Sequence, residues 1–573
     1  MTLHGAVVAA YPVVAGLTLL VPLGPTPVPV LALLLVALVA VTVVLRGRDA
    51  GAAATARALS RSGSGIDHPA CRRAGRPGSR QNCGMLRRRW LLADQLGPHF
   101  LDDPDQPVLL VEIRELFRRR PMHRQKAHLI LSALRHRAAE LGDRALLLRT
   151  DTFREALTQV TEPVEVCHPH SRAALGFARS VPGLTVLPPR GFITSQSDFA
   201  AWADRTRRAP LRMADYYRQA RRRHDVLTGP ARVSTTAPTP RRPRGESSAV
   251  PVSPPPPPPI VEDDIDAQVR RDLDGWAADG VRFVGRDGPR QHPATHDEAQ
   301  ARLAHFLAYR LPGFGRYADV MSADDPLFAH SALSSSFNLG LLHPEPAVRA
   351  AEQAWRSGVA PRTAVEPFIR GLLGWREFLW QLYWYHEPRF RGANWLAATE
   401  PMPQWFADLD GDAVEARCLA DMLAAVRDRA WTHQSPRLLV LGNYALQRGW
   451  RPAEVADWFQ RCFVDGTDWV MNATVIGMSQ YADLARVDTR PYAVDGTDID
   501  EISDYCAGCR YTPERALGEL ACPYTGGFES FLHRNRERLV ADPRLAAELA
   551  RRDEPEHREA VLAQEEKRGG SPP

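Results

Sequence analysis

The chain is 573 residues long, with 72 basic and 67 acidic side chains and a formal charge of +5. That length allows two or three domains, each with its own core. The slight basic excess permits a polyanionic partner without requiring one, and eight cysteines over this length exclude a disulfide-framed scaffold.

From Ala6 to Leu23 and from Pro27 to Leu45 the chain is almost purely apolar and uncharged. Each stretch has about the length that spans a bilayer as a helix. Gly24-Pro25 would turn a hairpin, and Arg46 and Arg48 follow, as the positive-inside rule places on the cytoplasmic side. A single cleavable signal peptide fits poorly, with two apolar blocks and no charged leader. The competing reading is an over-extended start. Residues 49–84 are unpatterned Arg, Gly, Ala and Ser, and Met85 immediately precedes "LRRRWLLADQL", where ordered sequence begins.

"RWLLADQL" (89–96), "PVLLVEI" (107–113) and "ALLLRT" (145–150) are short apolar runs that suit buried parallel strands. Between the last two lies "HRQKAHLILSALRHRAAELG", with helical apolar spacing and Gly142 at its end. Such strand–helix–strand units predict a doubly wound α/β domain over 85–190. Residues 191–262 read as a connection. Within it, "RMADYYRQARRRHDVL" (212–227) is a basic helix, either a solvated surface helix or a nucleic-acid contact, and "VSPPPPPPIV" marks a polyproline linker. From 263 to 552 almost every pattern is helical, giving an α/β + all-α chain, and residues 553–573 read as a disordered tail. The helical part holds 11 of the 13 tryptophans, starting at Trp276, so large aromatic walls are available there.

Its informative blocks are "HSALSSSFNLGLL" (330–342), with hydroxyl residues at a helix start suited to phosphate, then "GWREF" with Trp375-Arg376-Glu377. "WTHQSPRLLVLGNYALQRGW" (431–450) and "WFQRCFVDGTDWVMNATVIGMSQYAD" (458–483) follow. Near the end, "SDYCAGCRY" supplies Cys506 and Cys509 in a C-x2-C pair, and Cys522 comes shortly after. A tetrahedral metal or cluster site needs a fourth ligand.

The blocks "DQL", "LSALRH", "GWREF", "GNYAL", "VIGMSQYAD" and "SDYCAGCRY", in this order, resemble the photolyase/cryptochrome flavoproteins, in their bacterial iron–sulfur branch. The resemblance runs from about residue 86 to 550 and is weakest across 228–300. It implies that Cys418, which lies 506 − 418 = 88 residues before the pair, completes a [4Fe-4S] site with Cys506, Cys509 and Cys522. A four-cysteine zinc site is the alternative. Cys462 reads as a core thiol, and Cys71, Cys83 and Cys167 have no partner pattern. The resemblance further implies FAD contacts from His330, Ser331, Leu333, Ser334, Trp375, Arg376, Asn443, Asp465 and Trp469. Trp458 and Trp405 would transfer electrons. The substrate class it implies is UV-damaged DNA, with the lesion flipped out of the stack. A monomer in the cytoplasm, at the nucleoid, is expected, or a membrane-tethered version if residues 6–45 span a bilayer.

Three departures stand out. Where the branch grips a lumazine antenna with a Glu and a Tyr, this chain has Leu116 and Arg119, so an antenna is not expected. The Gly-Gly-(Lys/Arg)-Trp-Asn segment between the domains is absent. The active-site His-His pair reads His433-Gln434. An imidazole that exchanges its proton near neutral pH would then have to be His433. Repair of (6-4) photoproducts and photoreception without repair are both compatible with this pattern.

Overall fold

The computed structural model describes residues 87–206, 211–228, 254–385, 391–483, 491–540, 543–552 and 554–573. The apolar hairpin of residues 6–45 and Met85 lie outside the described residues. Among the described residues, no helix is long and apolar enough to cross a membrane.

Five parallel strands form the N-terminal sheet: β1 (Arg88–Leu91), β2 (Val108–Ile113), β4 (Ala145–Thr150), β5 (Val164–Cys167) and β6 (Thr185–Leu187), in the order β4-β2-β1-β5-β6. A second, two-stranded parallel ladder pairs β3 (Met122–His123) with β7 (Phe283–Val284). The unbroken apolar run of β2 has a simple cause. Alternate side chains point to opposite faces, and here both faces are covered. Leu109 and Val111 pack with Trp90, Ala156 and Ala178 on one side. Val108 and Leu110 pack with Leu129, Ala133 and Leu134 on the other. The last three belong to helix Arg124–Leu141, which starts on a cap from His123 to the Gln125 amide (3.1 Å) and stops at Gly142 (φ +57°).

The strand order reverses between β1 and β5, where an open α/β sheet commonly holds a ligand. Here that crevice is filled by side chains. His170 meets Asp94 at 3.3 Å, and His99 lies edge-on to His343 of the helical part at 5.1 Å. One hydrophobic core runs from the sheet into the helices, including Leu91, Phe199, Tyr217, Leu333, Phe378, Trp380 and Trp469. The boundary expected at residue 263 is not a break in packing: helix Asp264–Ala278 places Val269 and Leu273 against Ala127 and Leu131. Arg290 bridges Asp266 and Glu298 beside it.

Two expectations change. The basic helix, Met213–Arg223, is not simply a solvated face. It buries Met213, Tyr216, Tyr217, Ala220 and Arg221, and Arg221 pairs with Glu366 at 3.3 Å. The expected disordered tail is instead a helix, Pro555–Arg568, which buries Val561 and Glu565. Glu565 pairs with Arg448 at 2.7 Å, and the Pro573 carbonyl accepts the Glu415 and Ala416 amides. The charge-rich composition hid a helix whose i, i+4 positions face inward.

Among the described residues, four segments of the helical part take wide, π-type turns: Phe306–Arg310, Arg370–Arg376, Pro436–Gly442 and Asn472–Ser479. Such turns cost regular hydrogen bonding and cluster at functional sites. Three of them adjoin the blocks singled out in the sequence.

Candidate functional site

Cys418 lies at the start of helix Arg417–Arg429, Cys506 and Cys509 flank a tight turn, and Cys522 caps helix Pro523–Arg534. All four line one small pocket with Gly496, Tyr505 and Tyr524, and none forms a disulfide. A Cβ on Gly496 would meet the Cys522 sulfur at 2.7 Å, so only glycine leaves that wall open. Burial raises the thiol of Cys418 far above its ordinary value and that of Cys506 to about 12, and raises Cys522 as well. Burial is the first cause in each case, as it is at Cys462, which it pushes up to about 12. No three of the sulfurs lie within 4.8 Å of one another. Tetrahedral zinc, with Zn–S near 2.3 Å, would draw them to about 3.8 Å. Cys462 and Cys167 are buried core thiols, as their surroundings require; Cys71 and Cys83 lie outside the described residues.

A second cluster sits in the shared core. Asp465 forms a two-pronged ion pair with Arg437 at 3.0 Å for each prong. Burial opposes the Asp465 charge, but Arg437, a hydrogen bond from Ser334 and the nearby His292 together hold its carboxyl below the usual range. The Asp465 carbonyl accepts the Asn338 amide at 2.9 Å. Helix Ser334–Asn338 is only five residues long, with Leu333 buried at its start and Ser331 and Ser334 half-buried. Arg376 is buried over Phe192 (4.2 Å) and Trp469 (5.5 Å) and donates to the Gly191 and Phe337 carbonyls. Burial lowers it to about 10, with Glu377 opposing. Trp375 packs half-buried on the same core. Arg437 also donates to the Thr432 carbonyl at 2.8 Å, and the next residue, His433, stacks on His330 with ring centroids 3.9 Å apart. His330 contacts His433, Ser334 contacts Asp465 and Arg376 contacts Trp469, and Arg437, Thr432, Phe337 and Asn338 bridge these pairs.

Asn443, Trp458 and Trp405 are not part of that cluster. The Asn443 amide is taken up by Val494 and Leu439. Trp458 is buried in the core that also holds Cys418 and Cys522. It packs on Phe406 at 4.8 Å, and Phe406 touches Trp405 at 5.6 Å. Trp405 is half-buried.

Residues 89–232 match the family described as deoxyribodipyrimidine photo-lyase-related protein. Over 493 residues the chain is 31% identical to a (6-4) photolyase of Agrobacterium fabrum, covering 80% of this chain and 94% of that one. The chain belongs to the photolyase/cryptochrome family. Two solved structures are also similar. A bacterial class III photolyase from Agrobacterium tumefaciens has a TM-score of 0.43 at 16% identity, over 72% of this chain and 83% of that one. A Synechocystis cryptochrome has a TM-score of 0.47 at 14% identity, over 73% and 88%. The family implies FAD as cofactor, and the buried arginine, the aspartate–arginine pair and the tryptophan wall fit a charged, planar ligand.

Within this photolyase-like chain, sequence reasoning missed several residues. Trp450 lies 4.7 Å from Phe406 and 5.6 Å from Tyr444, and Tyr444 lies 5.8 Å from Tyr524 at the cysteine pocket. Aromatic packing therefore runs from the tryptophans to the thiols, and the aromatic excess was its signal. Glu377 was quoted only as part of its block. It is fully buried, and its Oε2 accepts the Ile193 and Thr194 amides at 3.0 and 2.9 Å.

The departures also acquire positions. Leu116 is exposed, and Arg119 points to solvent and pairs with Glu115 at 2.8 Å. Gln434 is exposed, whereas His433 is buried. Burial, then His330 and Arg437, press the His433 pKa well below its ordinary value. Among the described residues the groups that act on it besides burial, His330 and Arg437, are both basic, so its desolvation is not offset there and the neutral imidazole is favoured.

Proposed function

We propose that the chain is a light-dependent DNA-repair flavoprotein that acts on (6-4) photoproducts with reduced FAD. The observation that carries this reading is the 31% identity to a (6-4) photolyase over 94% of that protein's length. FAD would be held by His330, Ser331, Leu333, Ser334, Trp375, Arg376, Asp465 and Trp469, with Asn443 bracing the neighbouring helix. When bound, reduced FAD supplies a light-driven electron for the lesion. The chain's own residues do the rest. Arg376 and the Arg437–Asp465 pair fix charge in a desolvated core, where it acts strongly. Trp458 and Trp405, both in contact with Phe406, would pass electrons between the interior and the surface. Cys418, Cys506, Cys509 and Cys522 would hold a [4Fe-4S] cluster that clamps the C-terminal helices. The substrate partner is UV-damaged DNA, its phosphates held by Lys and Arg. The protein works as a cytoplasmic monomer at the nucleoid and carries no lumazine antenna, because neither Leu116 nor Arg119 can replace a buried carboxylate and phenol.

One observation favours a second reading, a blue-light photoreceptor without repair. Gln434, the exposed member of the pair, can hydrogen-bond a lesion but cannot act as an acid, and the neutral His433 is turned inward. Blue-light repair of (6-4) DNA by wild type, Gln434→His and His433→Ala separates the two. Repair by wild type, raised at least several-fold by Gln434→His, supports the first reading. No repair by either protein, while the flavin still photoreduces, supports the second.

A further inference from the structure

Helix Glu377–Tyr385 follows the wide turn that carries Arg376, and its sequence places Trp380, Tyr383 and Trp384 at i, i+3 and i+4, on one face. Trp380 is fully buried, whereas Tyr383 and Trp384 are half-buried against the same core. Phe192 joins this face to the candidate flavin cluster. It stacks on Trp380 with ring centroids 3.8 Å apart, lies 5.6 Å from Trp469, and has the Arg376 guanidinium 4.2 Å above its ring. Outward, Trp380 lies 6.3 Å from Trp384, and Trp384 lies 5.1 Å from Tyr383. A run of rings thus leads from Trp469 to the edge of its core. Trp458 and Trp405 pack in a different core, with Cys418 and Cys522.

Polar contacts distinguish the members of this run. The indole nitrogens of Trp380 and Trp384 are buried and, among the described residues, have no hydrogen-bond partner. Buried donors without a partner are uncommon and call for a reason. A tryptophan that has lost an electron sheds its N–H proton only to a base, and neither indole meets one among the described residues. Tyr383 does. Its hydroxyl donates to Asp468 Oδ2 at 2.6 Å and accepts the Arg172 amide at 2.8 Å. The Arg172 guanidinium lies 5.3 Å from the Tyr383 ring and 5.4 Å from the Trp384 ring. Its positive charge opposes a cation on Trp384 but not a neutral product on Tyr383.

We infer that Trp380, Trp384 and Tyr383 form a second electron relay, which supplies the flavin cluster from outside and ends on Tyr383 with Asp468 as its base. This rests on the reading that the cluster around Arg376 and Trp469 holds FAD. One electron passes from Trp380 to the light-excited, oxidised cofactor, one from Trp384 to Trp380, and one from Tyr383 to Trp384. As Tyr383 gives up its electron, its phenolic proton crosses to the Asp468 carboxylate. The cofactor has then gained one electron, and the outer end holds a neutral tyrosyl radical beside a protonated Asp468. A thiolate in the medium returns the electron, and Asp468 returns the proton. Burial, then Asp468, holds the Tyr383 pKa above its ordinary value, so the phenol keeps its proton until it is oxidised.

The test is transient absorption and electron paramagnetic resonance of the full chain with oxidised FAD after a blue-light flash. Wild type should form a tyrosyl radical, more slowly in heavy water because a proton moves with the electron. Tyr383→Phe should lose that radical. Trp380→Phe keeps a ring against Phe192, and should lose the same radical and photoreduce the flavin several-fold more slowly. Asp468→Asn removes the base at nearly constant size and should slow radical formation. Flavin absorbance and melting of each dark protein show whether cofactor and fold are retained. A tyrosyl radical that survives Tyr383→Phe would overturn the relay. So would a wild-type rate in Trp380→Phe, whether or not Trp458→Phe abolishes photoreduction. Wild type purified without flavin would overturn the cofactor reading itself, and the relay with it, which its absorbance shows before any flash. Whether damaged DNA is repaired does not enter.

Discussion

Glu377 gives the sharpest physical test of the candidate site. Its carboxyl is fully buried, its Oε2 accepts two amides of the loop after β6, and its Oε1 faces Arg376 at 3.6 Å. Burial raises its pKa to about 7, against the opposing pull of Arg376 and the two amides. A raised carboxyl keeps its proton in the folded state after the unfolded chain has lost it. Its contribution to stability is therefore fully present below about 4.5 and is lost as pH rises through about 7. The difference of 7 − 4.5 = 2.5 units corresponds to about 3 kcal/mol. Glu377→Gln keeps an acceptor for both amides and removes the titration. Urea unfolding of the two proteins across this pH window should give difference curves that diverge by roughly 2–3 kcal/mol, with the variant gaining on wild type as pH rises. An infrared carboxylic-acid band should vanish in wild type with an apparent pKa of about 7 and be missing from the variant. Parallel stability curves, or no such band, would refute the claim that burial dominates over Arg376.

Three further outcomes are expected. Anaerobically prepared protein should contain iron and sulfide, and Cys506→Ser or Cys522→Ser should lose both and most soluble yield; stoichiometric zinc instead would contradict the cluster. Arg437→Met strands the buried Asp465 charge and should cost about 3–5 kcal/mol, while adding Asp465→Leu should recover most of it in a double-mutant cycle. His99, lowered to about 3 first by burial and then by His343, resists protonation in the folded state. Its stabilising effect is present above about 6.5 and is lost as pH falls toward 3, so His99→Leu should show a shallower acid slope in pH-dependent melting.

What could be read from the sequence follows from how local each signal is. The runs at β1, β2 and β4 were legible because a strand buried on both faces must be continuously apolar. Strands β5 and β6, "VEVC" and "TVL", are too short to stand out from their surroundings. The tail helix was invisible because its stabilising partners, Arg448 and the Glu415–Ala416 amides, lie more than a hundred residues away. Cys418 posed the same problem. Its own segment carries no metal spacing, and only the resemblance tied it to Cys506, Cys509 and Cys522, which the fold then brings to one pocket. The His433-Gln434 pair shows the limit most clearly. His433 lies in irregular backbone just before the helical run that begins at Gln434, so no helical periodicity in the sequence says which of the two faces outward. Which one does so depends on where His330 lies, and that is set by a turn about a hundred residues upstream. Because His330 stacks on His433, the outward position falls to the residue that cannot give up a proton. The proposed distinction between repair and signalling therefore rests on Gln434, whose exposure is a matter of packing rather than of its identity alone.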